Sequence, residues 1–139
     1  MTTVCFVGCT KRKLSVPARA ENLYTPSIYF RLAARLAQKL GIRWYILSAK
    51  HGLLRPEQVI EPYEATLAGA APAQIRAWSE RTRPAVVDAI GDSDRVVFLC
   101  GRAYYAGLLP LGAGVEVGTP LAGVGMGSQM ALMRRMLAA

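Results

Sequence analysis

The sequence predicts an α/β fold, in which one domain over residues 1–139 forms a three-layer sandwich around a mostly parallel central sheet. Two observations lead to this prediction. Short apolar runs rich in β-branched residues alternate along the chain with longer segments whose apolar residues recur at helical spacing. The first run, TVCFVGC at residues 3–9, is apolar almost throughout, which is typical of a strand covered on both faces.

The order of the elements follows from the same patterns. Residues 3–9 predict the first strand, and the polar residues 10–26, with two prolines, predict a long loop of a kind that is often functional. Residues 27–41 predict a helix that ends at Gly41, and residues 43–48 predict the second strand.

The second half of the chain continues the alternation. Pro56 and Pro62 break any long element after the second strand, and Pro84 is expected to split or kink the helix that follows. The predicted elements are an irregular segment, a helix, a strand, a short helix, a short strand and a final helix, over residues 51–62, 72–90, 95–101, 102–109, 115–117 and 125–139 in that order.

Composition restricts the class of protein. The 139 residues suffice to bury a core, and no uninterrupted apolar run of about 18 residues is present to span a membrane. The N-terminal residues lack the basic start of a signal peptide, so a cytoplasmic location is expected. One histidine and three cysteines without metal-ligand spacing predict no metal site, and no cofactor is expected. Cys5 and Cys100 are expected to be buried reduced thiols.

The charge of the chain points to an anionic partner. The net charge is +8, from 17 Lys and Arg against 9 Asp and Glu, which favours nucleic acid, nucleotides or phosphates. The run Lys11-Arg12-Lys13 follows the first strand, where ligands bind in open α/β sheets. The alternative is a basic chain without such a partner, and Arg134 and Arg135 of the final helix are interpreted as a solvated face.

Polar residues follow three of the predicted strands at the point where each strand ends. In a parallel sheet these ends meet at one edge, which is where ligands bind. The three groups are Gly8-Cys9-Thr10-Lys11, Ser48-Ala49-Lys50-His51-Gly52 and Gly101-Arg102. The sequence therefore predicts one site at this edge of the sheet.

Lys50 and His51 are the first candidates for chemistry. His51 can act as an acid or a base near neutral pH, and Lys50 can neutralise a phosphate or a developing anion. Gly52 gives the backbone freedom, and Leu53-Leu54 returns the chain to the core, so the polar pair is held between buried anchors. A simple surface turn is the alternative explanation.

The segment VIEPYEATL, residues 59–67, supplies carboxylates. Glu61 and Glu64 flank Tyr63, whose ring is suited to stack on a base while a carboxylate reads an amino group or activates water. An ordinary acidic surface turn is the alternative. Tyr24 is a comparable case, since its ring either stacks on a ligand or caps the core.

The glycines of GVGMGSQ, residues 123–129, precede a predicted helix, as phosphate-binding loops do. The segment lacks both the GxGxxG spacing and the lysine of a P-loop, so close packing of a turn explains it equally well. The sequence contains no motif of a Ser/His/Asp hydrolase.

The segments VGCTKRK, ENLYTPSIYFR, WYILSAKHGLLRPEQVIEPYEATL and LAGVGMGSQMALM together resemble a bacterial family of uncharacterised domains. The family pattern contains Cys-x-Lys-x-Lys, Leu-Ser-Ala-Lys-x-Gly-Leu and Pro-Tyr-x-x-Thr-Leu. This family is similar, more distantly, to YaaA peroxide-stress proteins and to the archaeosine synthase domain that acts on a deazaguanine base in tRNA. Those relatives imply a fold like that of the uracil-DNA glycosylase superfamily.

The resemblance assigns residues to the motifs. Its three motifs are matched by Cys9, Lys11 and Lys13, by Ser48, Lys50, His51 and Gly52, and by Glu61, Pro62 and Tyr63. The chain departs from the glycosylase superfamily at two places, because Thr10-Lys11 stands where an acidic residue activates water and no histidine follows His51. Any catalytic carboxylate must then come from Glu61 first or Glu64 second.

Three functions are consistent with these observations. The leading one is an enzyme acting on a nucleobase in DNA or RNA, an N-glycosidase or base-modifying enzyme with Glu61, Lys50 and His51 as catalytic residues. The second is a noncatalytic nucleic-acid-binding stress-response protein, and the third is a small nucleotide-binding protein. The predicted substrate-binding residues are Cys9, Thr10, Lys11, Lys13, Tyr24, Ser48, Gly52, Tyr63, Glu64, Gly101 and Arg102. The sequence leaves the oligomeric state open.

Overall fold

A computed structural model describes residues 2–139 and places a five-stranded sheet at the centre of the protein. The strands in chain order are β1 (Thr3–Gly8), β2 (Ala18–Arg19), β3 (Arg43–Ser48), β4 (Gly52–Leu54), β5 (Val59–Ile60), β6 (Arg95–Leu99) and β7 (Glu116–Gly118). The central sheet has the order β4-β3-β1-β6-β7, and only β4 runs antiparallel to its neighbour. The predicted α/β fold with a mostly parallel sheet is confirmed.

The helices are α1 (Ala20–Leu23), α2 (Ile28–Leu40), α3 (Pro72–Ile90), α4 (Arg102–Tyr105) and α5 (Met126–Ala138), and a 3-10 turn at Ala106–Leu108 follows α4. The Ser27 side chain caps α2 by accepting a hydrogen bond from the Phe30 N–H at 3.2 Å. Gly41 ends this helix as predicted. A Cβ at Gly41 would lie 2.8 Å from the carbonyl oxygen of Arg43, so the close backbone approach requires glycine.

Helices cover both faces of the sheet. Phe6 stacks on Phe98 of β6, and Phe98 stacks on Tyr105 of α4, with ring centroids 5.4 and 5.7 Å apart. A Cβ on Gly41 would lie 3.1 Å from Cys5 Sγ, which places the end of α2 beside Cys5. Because Cys5 and Phe6 are consecutive in β1, they point to opposite faces. Helices α3 and α4 therefore lie on one face, and α2 and α5 on the other.

The core is built around β1, which is buried along its whole length between β3 and β6. Trp78 of α3 is the largest fully buried side chain. Cys5 and Cys100 are buried free thiols, as expected, and Cys9, a predicted substrate-binding residue, is one as well. Burial raises the pKa of Cys5 to about 12. Burial also raises the pKa of Cys100.

The segments expected to be irregular contain short elements. Residues 10–26 include β2 and α1, and residues 51–62 include β4 and β5. Strand β2 pairs with β5, with Ala18 opposite Ile60. Backbone pairing therefore connects residues 10–26 to the segment that carries the predicted carboxylates. Strands of two or three residues are too short to leave a periodic pattern in the sequence.

Of the two effects expected of Pro84, a split or a kink, the split is wrong, since α3 is continuous from Pro72 to Ile90. Pro84 and Glu80 are both exposed, so the carbonyl group that loses its donor to proline lies where water can reach it. Strands β1 and β6 are also shorter than predicted, because Cys9 and Cys100 already lie outside the strands, in the segments that follow them.

Two further expectations concern membranes and metals. Within residues 2–139, no helix has the length and apolar character needed to cross a membrane. The same part of the chain contains no group of three or more His, Cys, Asp or Glu side chains placed to hold a metal ion.

Candidate functional site

The ends of β1 and β3 meet at Cys9. The N–H of Cys9 donates to the Leu47 carbonyl at 2.9 Å, and the N–H of Ala49 donates to Cys9 Sγ at 3.4 Å. The thiol also lies 3.3 Å from the hydroxyl of Tyr104 in α4. Cys9 therefore joins the first two strand ends to the helix that follows the third.

A chain of buried hydroxyl groups lies under this edge. The hydroxyl oxygens of Tyr24 and Tyr63 are 2.5 Å apart, and that of Tyr63 is 2.7 Å from Ser48 Oγ. Ser48 Oγ also accepts a hydrogen bond from the N–H of His51 at 3.0 Å. These linked hydroxyl groups fix the position of Tyr63 and of the turn that carries Lys50 and His51.

Cationic side chains surround the ring of Tyr63. Lys13 Nζ lies 4.6 Å from the ring centroid, and Lys50 Nζ lies 6.0 Å from it, both within cation–π range. The His51 ring meets the Tyr63 ring edge to face, with centroids 5.3 Å apart. We call this group the Tyr63 cluster; its members are Lys13, Tyr24, Ser48, Lys50, His51 and Tyr63.

The tyrosines of the cluster are neutral hydrogen-bonding groups at physiological pH. Burial raises the pKa of Tyr24 to about 12. Burial, together with the charges of Cys9 and Tyr24 when ionised, raises the pKa of Tyr63 even further. Neither hydroxyl loses its proton near pH 7, so these groups position their neighbours and do not act as bases.

The pKa of Lys13 responds to its surroundings. Partial burial lowers it, and Cys9, when ionised, and Glu64 oppose that shift. The effect of Glu64 is the smallest of the three. Glu61 and Glu64 are both exposed beyond β5, and no ion pair within residues 2–139 includes either of them.

Trp78 and Tyr104 support the cluster from the opposite face of the sheet. Trp78 Nε1–H donates to the Ser48 carbonyl at 2.8 Å, and the Trp78 ring meets the Tyr104 ring edge to face with centroids 5.7 Å apart. The Tyr104 hydroxyl accepts from the Leu67 N–H at 3.2 Å. Sequence patterns alone did not single out either residue, because a buried aromatic residue in a helix looks like any other core residue.

Gly101 and Arg102 line a separate cleft of about 430 Å³ at the end of β6. Its other wall is the glycine-containing turn before α5, residues 121–125, with Gln129. Gln129 accepts from the Tyr29 hydroxyl at 2.5 Å and donates to the Val124 carbonyl at 2.6 Å, which fixes the turn against α2. The GVGMGSQ segment therefore contributes to a concave surface at the predicted edge.

The predicted site residues divide by exposure. The exposed ones are Lys11, Lys50, His51, Glu61, Glu64, Gly101 and Arg102, and Thr10 and Lys13 are half-buried. The buried ones are Cys9, Tyr24, Ser48, Gly52 and Tyr63. The exposed set is accessible to a ligand, whereas the buried set holds the backbone and the exposed side chains in place.

The expectation that Tyr24 or Tyr63 stacks on a base is not supported by their burial. Tyr24 is 0% exposed and packs on Phe30 of α2, with centroids 5.0 Å apart. Tyr63 is 9% exposed, and Lys13, Lys50 and His51 occupy its surroundings. Both rings form the floor of the cluster.

His51 is expected to be neutral at pH 7 and to become protonated only at more acidic pH. The pKa of His51 is lowered below its ordinary value, first by partial burial and second by the positive charge of Lys50. The variant Lys50→Met removes that charge, so we expect the pKa of His51 to rise. Because His51 is the single histidine of the chain, its imidazole signals in an NMR titration report the shift without ambiguity.

Lys11→Met is the matched control for this titration. Lys11 is exposed on the same edge, but its charge is not among the causes of the His51 shift. The control is expected to leave the titration midpoint where it is. A midpoint unchanged in Lys50→Met, or raised equally in both variants, would contradict the proposed electrostatic contact.

Comparisons with known proteins give two matches. The model of a family described as "Family of unknown function (DUF6884)" matches residues 4–135. The chain is 32% identical over 111 residues to "Uncharacterized protein YfjM" of Bacillus subtilis (strain 168), a match that covers 75% of this chain and 73% of that protein. No solved structure matches the chain.

Proposed function

Because the chain belongs to DUF6884, a family of unknown function, its activity has to be inferred from its own site, and we propose that it is an enzyme acting on a nucleobase in DNA or RNA. The concrete form of the proposal is an N-glycosidase or a base-modifying enzyme. The resemblance to YaaA proteins, to the archaeosine synthase domain and to the uracil-DNA glycosylase superfamily is part of this proposal.

The observation that carries the proposal is the convergence of charged groups over Tyr63. Two ammonium groups and an imidazole surround one buried ring at the edge where parallel α/β sheets bind ligands. The charge of Glu64 acts on the same cluster through Lys13. Cations that neutralise phosphates beside a carboxylate and a neutral imidazole are a set suited to chemistry on a nucleotide.

The reaction assigns a role to each group. In glycosidic hydrolysis the oxygen of a water molecule bonds to C1′ of the sugar, and the bond from C1′ to the base nitrogen breaks. The electron pair of that bond leaves with the base. A carboxylate, Glu64 or Glu61, orients the water and accepts its proton, and the Lys50 ammonium stabilises the departing base, which finally takes up a proton. His51, neutral at pH 7, is available to relay protons.

Noncatalytic binding of nucleic acid is the second candidate. It is favoured by the exposure of Lys11, Arg12 and Lys50, since exposed cations hold phosphates without any chemistry. Under this alternative the Tyr63 cluster is a rigid binding surface. The resemblance to YaaA proteins is the ground for linking such binding to a stress response.

The proposal is tested by incubating the protein with a panel of modified DNA and RNA oligonucleotides. Mass spectrometry of the products is expected to show a free base, or a base of altered mass, for at least one member of the panel. Tight, salt-sensitive binding without any product would instead establish the noncatalytic alternative. The double variant Arg76→Gln/Arg81→Gln on α3, away from the Tyr63 cluster, is the control for general effects of charge.

A further inference from the structure

One face of the protein carries cations without carboxylates. Helices α2 and α5 contain five basic residues and no Asp or Glu. The five are Arg31, Arg35, Lys39, Arg134 and Arg135. We call their surface the α2–α5 face. On the opposite side of the sheet, α3 has three arginines but also Glu80 and Asp88, so its charges partly cancel.

The two helices lie side by side and run in the same direction. At their N-terminal ends the Tyr29 hydroxyl donates to Gln129, and at their C-terminal ends the Lys39 ammonium donates to the carbonyls of Met136 and Ala139 at 3.0 and 2.6 Å. Arg134 and Arg135 therefore lie level with the second half of α2. The basic residues of both helices form one continuous surface.

The arginines of this face are presented to solvent by the packing of α2. Its apolar residues, such as Phe30 and Leu36, are buried on the sheet, which leaves Arg31 and Arg35 exposed one turn apart. The ion pairs within residues 2–139 join Arg19, Arg55 and Arg95 to carboxylates elsewhere. Lys39 is engaged by the carbonyls at the end of α5, so the exposed arginines of the α2–α5 face are the cations that an external anion can meet.

The N-terminal end of α2 is joined to the Tyr63 cluster through Tyr24 and Thr25. Lys13 Nζ lies 5.8 Å from the Tyr24 ring centroid, and the Tyr24 ring packs on Phe30 of α2. The Arg31 guanidinium donates to the carbonyl of Thr25, one residue after Tyr24, at 2.5 Å. Arg31 therefore lies at the end of α2 that is nearer to the Tyr63 cluster.

We propose that the α2–α5 face binds the sugar–phosphate backbone of a nucleic acid whose target base lies at the Tyr63 cluster. This inference rests on the proposed function and adds that the substrate is a polymer and not a free nucleotide. Helix α2 has 13 residues and is therefore about 20 Å long, which corresponds to the rise of about six nucleotides along one strand.

An anionic membrane fits this face less well. A helix that lies in a membrane surface exposes large apolar side chains beside its cations. The exposed large apolar residues of α2 and α5 are Ile28, Leu40 and Met126, all at helix ends. The stretch of α2 between its ends exposes Arg31, Arg35 and Lys39. Its apolar side is already buried on the sheet, so nucleic acid is the partner that the face favours.

The test compares the affinity of the protein for short and long oligonucleotides by fluorescence anisotropy. The long probes extend the short ones by about ten nucleotides, enough to cover α2. The wild type is expected to bind the long probes more tightly. Arg31→Gln/Arg35→Gln is expected to weaken long-probe binding about tenfold and to lower the slope of log affinity against log salt by about two.

Two further variants make the result specific. Arg35→Gln/Arg134→Gln leaves the Arg31 contact with Thr25 intact and is expected to weaken long-probe binding in the same way, which separates charge from any local change of fold. Arg76→Gln/Arg81→Gln removes the same charge from α3 and is expected to bind the long probes like the wild type. Equal losses in this control pair would overturn the inference.

The remaining outcomes separate this inference from the proposed function. If the wild type releases or alters a base in short probes but gains no affinity from added length, the α2–α5 face has no role and the proposed function stands. If no probe of any length is bound or altered, both proposals fail. Binding to phosphatidylserine vesicles in place of the oligonucleotides would also overturn the inference.

Discussion

Replacing Glu64 with glutamine is expected to lower the rate of base release or modification by about 100- to 10,000-fold, the range typical of losing a general acid or base. Glu64 opposes the lowering of the pKa of Lys13, a member of the Tyr63 cluster, and glutamine has nearly the same shape but cannot accept a proton. Affinity for the oligonucleotide should be retained, because the change removes a negative charge. Single-turnover kinetics and anisotropy measure the two quantities separately.

Glu61→Gln is the matched variant, since it removes the same charge three residues earlier in the same segment. It is expected to keep most of the turnover. The sequence alone placed Glu61 first, so the pair decides between the two carboxylates. Loss of turnover in Glu61→Gln alone would return the role to Glu61, and full activity in both variants would refute a mechanism that depends on either.

Trp78→Ala is expected to lower the free energy of unfolding by about 3–5 kcal/mol, as large-to-small changes of buried aromatic residues do. Trp78 is the largest fully buried side chain, and its indole N–H donates to the Ser48 carbonyl. The substitution therefore opens a cavity under the turn that carries Lys50 and His51. Chemical denaturation followed by circular dichroism measures the loss.

Two other variants separate the causes of that loss. Trp78→Phe keeps most of the ring but leaves the Ser48 carbonyl without its donor, and we expect it to cost about 1–3 kcal/mol. Trp44→Phe changes the other tryptophan of the chain, which is only half-buried on β3, and is expected to cost less than Trp78→Ala. A loss in Trp78→Ala no greater than that of Trp44→Phe would contradict the central position of Trp78 in the core.

The edge of the sheet that carries the candidate site follows from short-range sequence patterns. Polar residues lie at or directly after the ends of the runs TVCFVGC, RWYILS and RVVFLCG. The confirmed parallel pairing of β1 with β3 and β6 places those ends side by side. Lys50 and His51 are exposed at this edge because Ser48 and Gly52, on either side of them, are buried. Their accessibility could be predicted from the alternation of apolar and polar residues alone.

The partners of each group within the site could not be predicted in this way. Tyr24, Ser48 and Tyr63 are far apart in the sequence, yet their hydroxyl groups form one chain. The direction of a tyrosine ring depends on what packs against it, and neither the burial of Tyr24 on Phe30 nor the contact of Lys13 with Tyr63 leaves a local pattern. Stacking on a base is the role expected for Tyr63 and one of two considered for Tyr24, and the buried positions of both rings differ from it.

The sequence by itself determined the fold class, the order of the main strands and helices, and the strand ends at which polar residues collect, because burial imposes a periodicity that is visible in neighbouring residues. Only the tertiary structure decided which side chains meet at that edge. It joined Cys9 to Tyr104, placed Lys13 over the ring of Tyr63, and laid α2 alongside α5. These contacts join residues distant in sequence, and their geometry depends on how the layers pack.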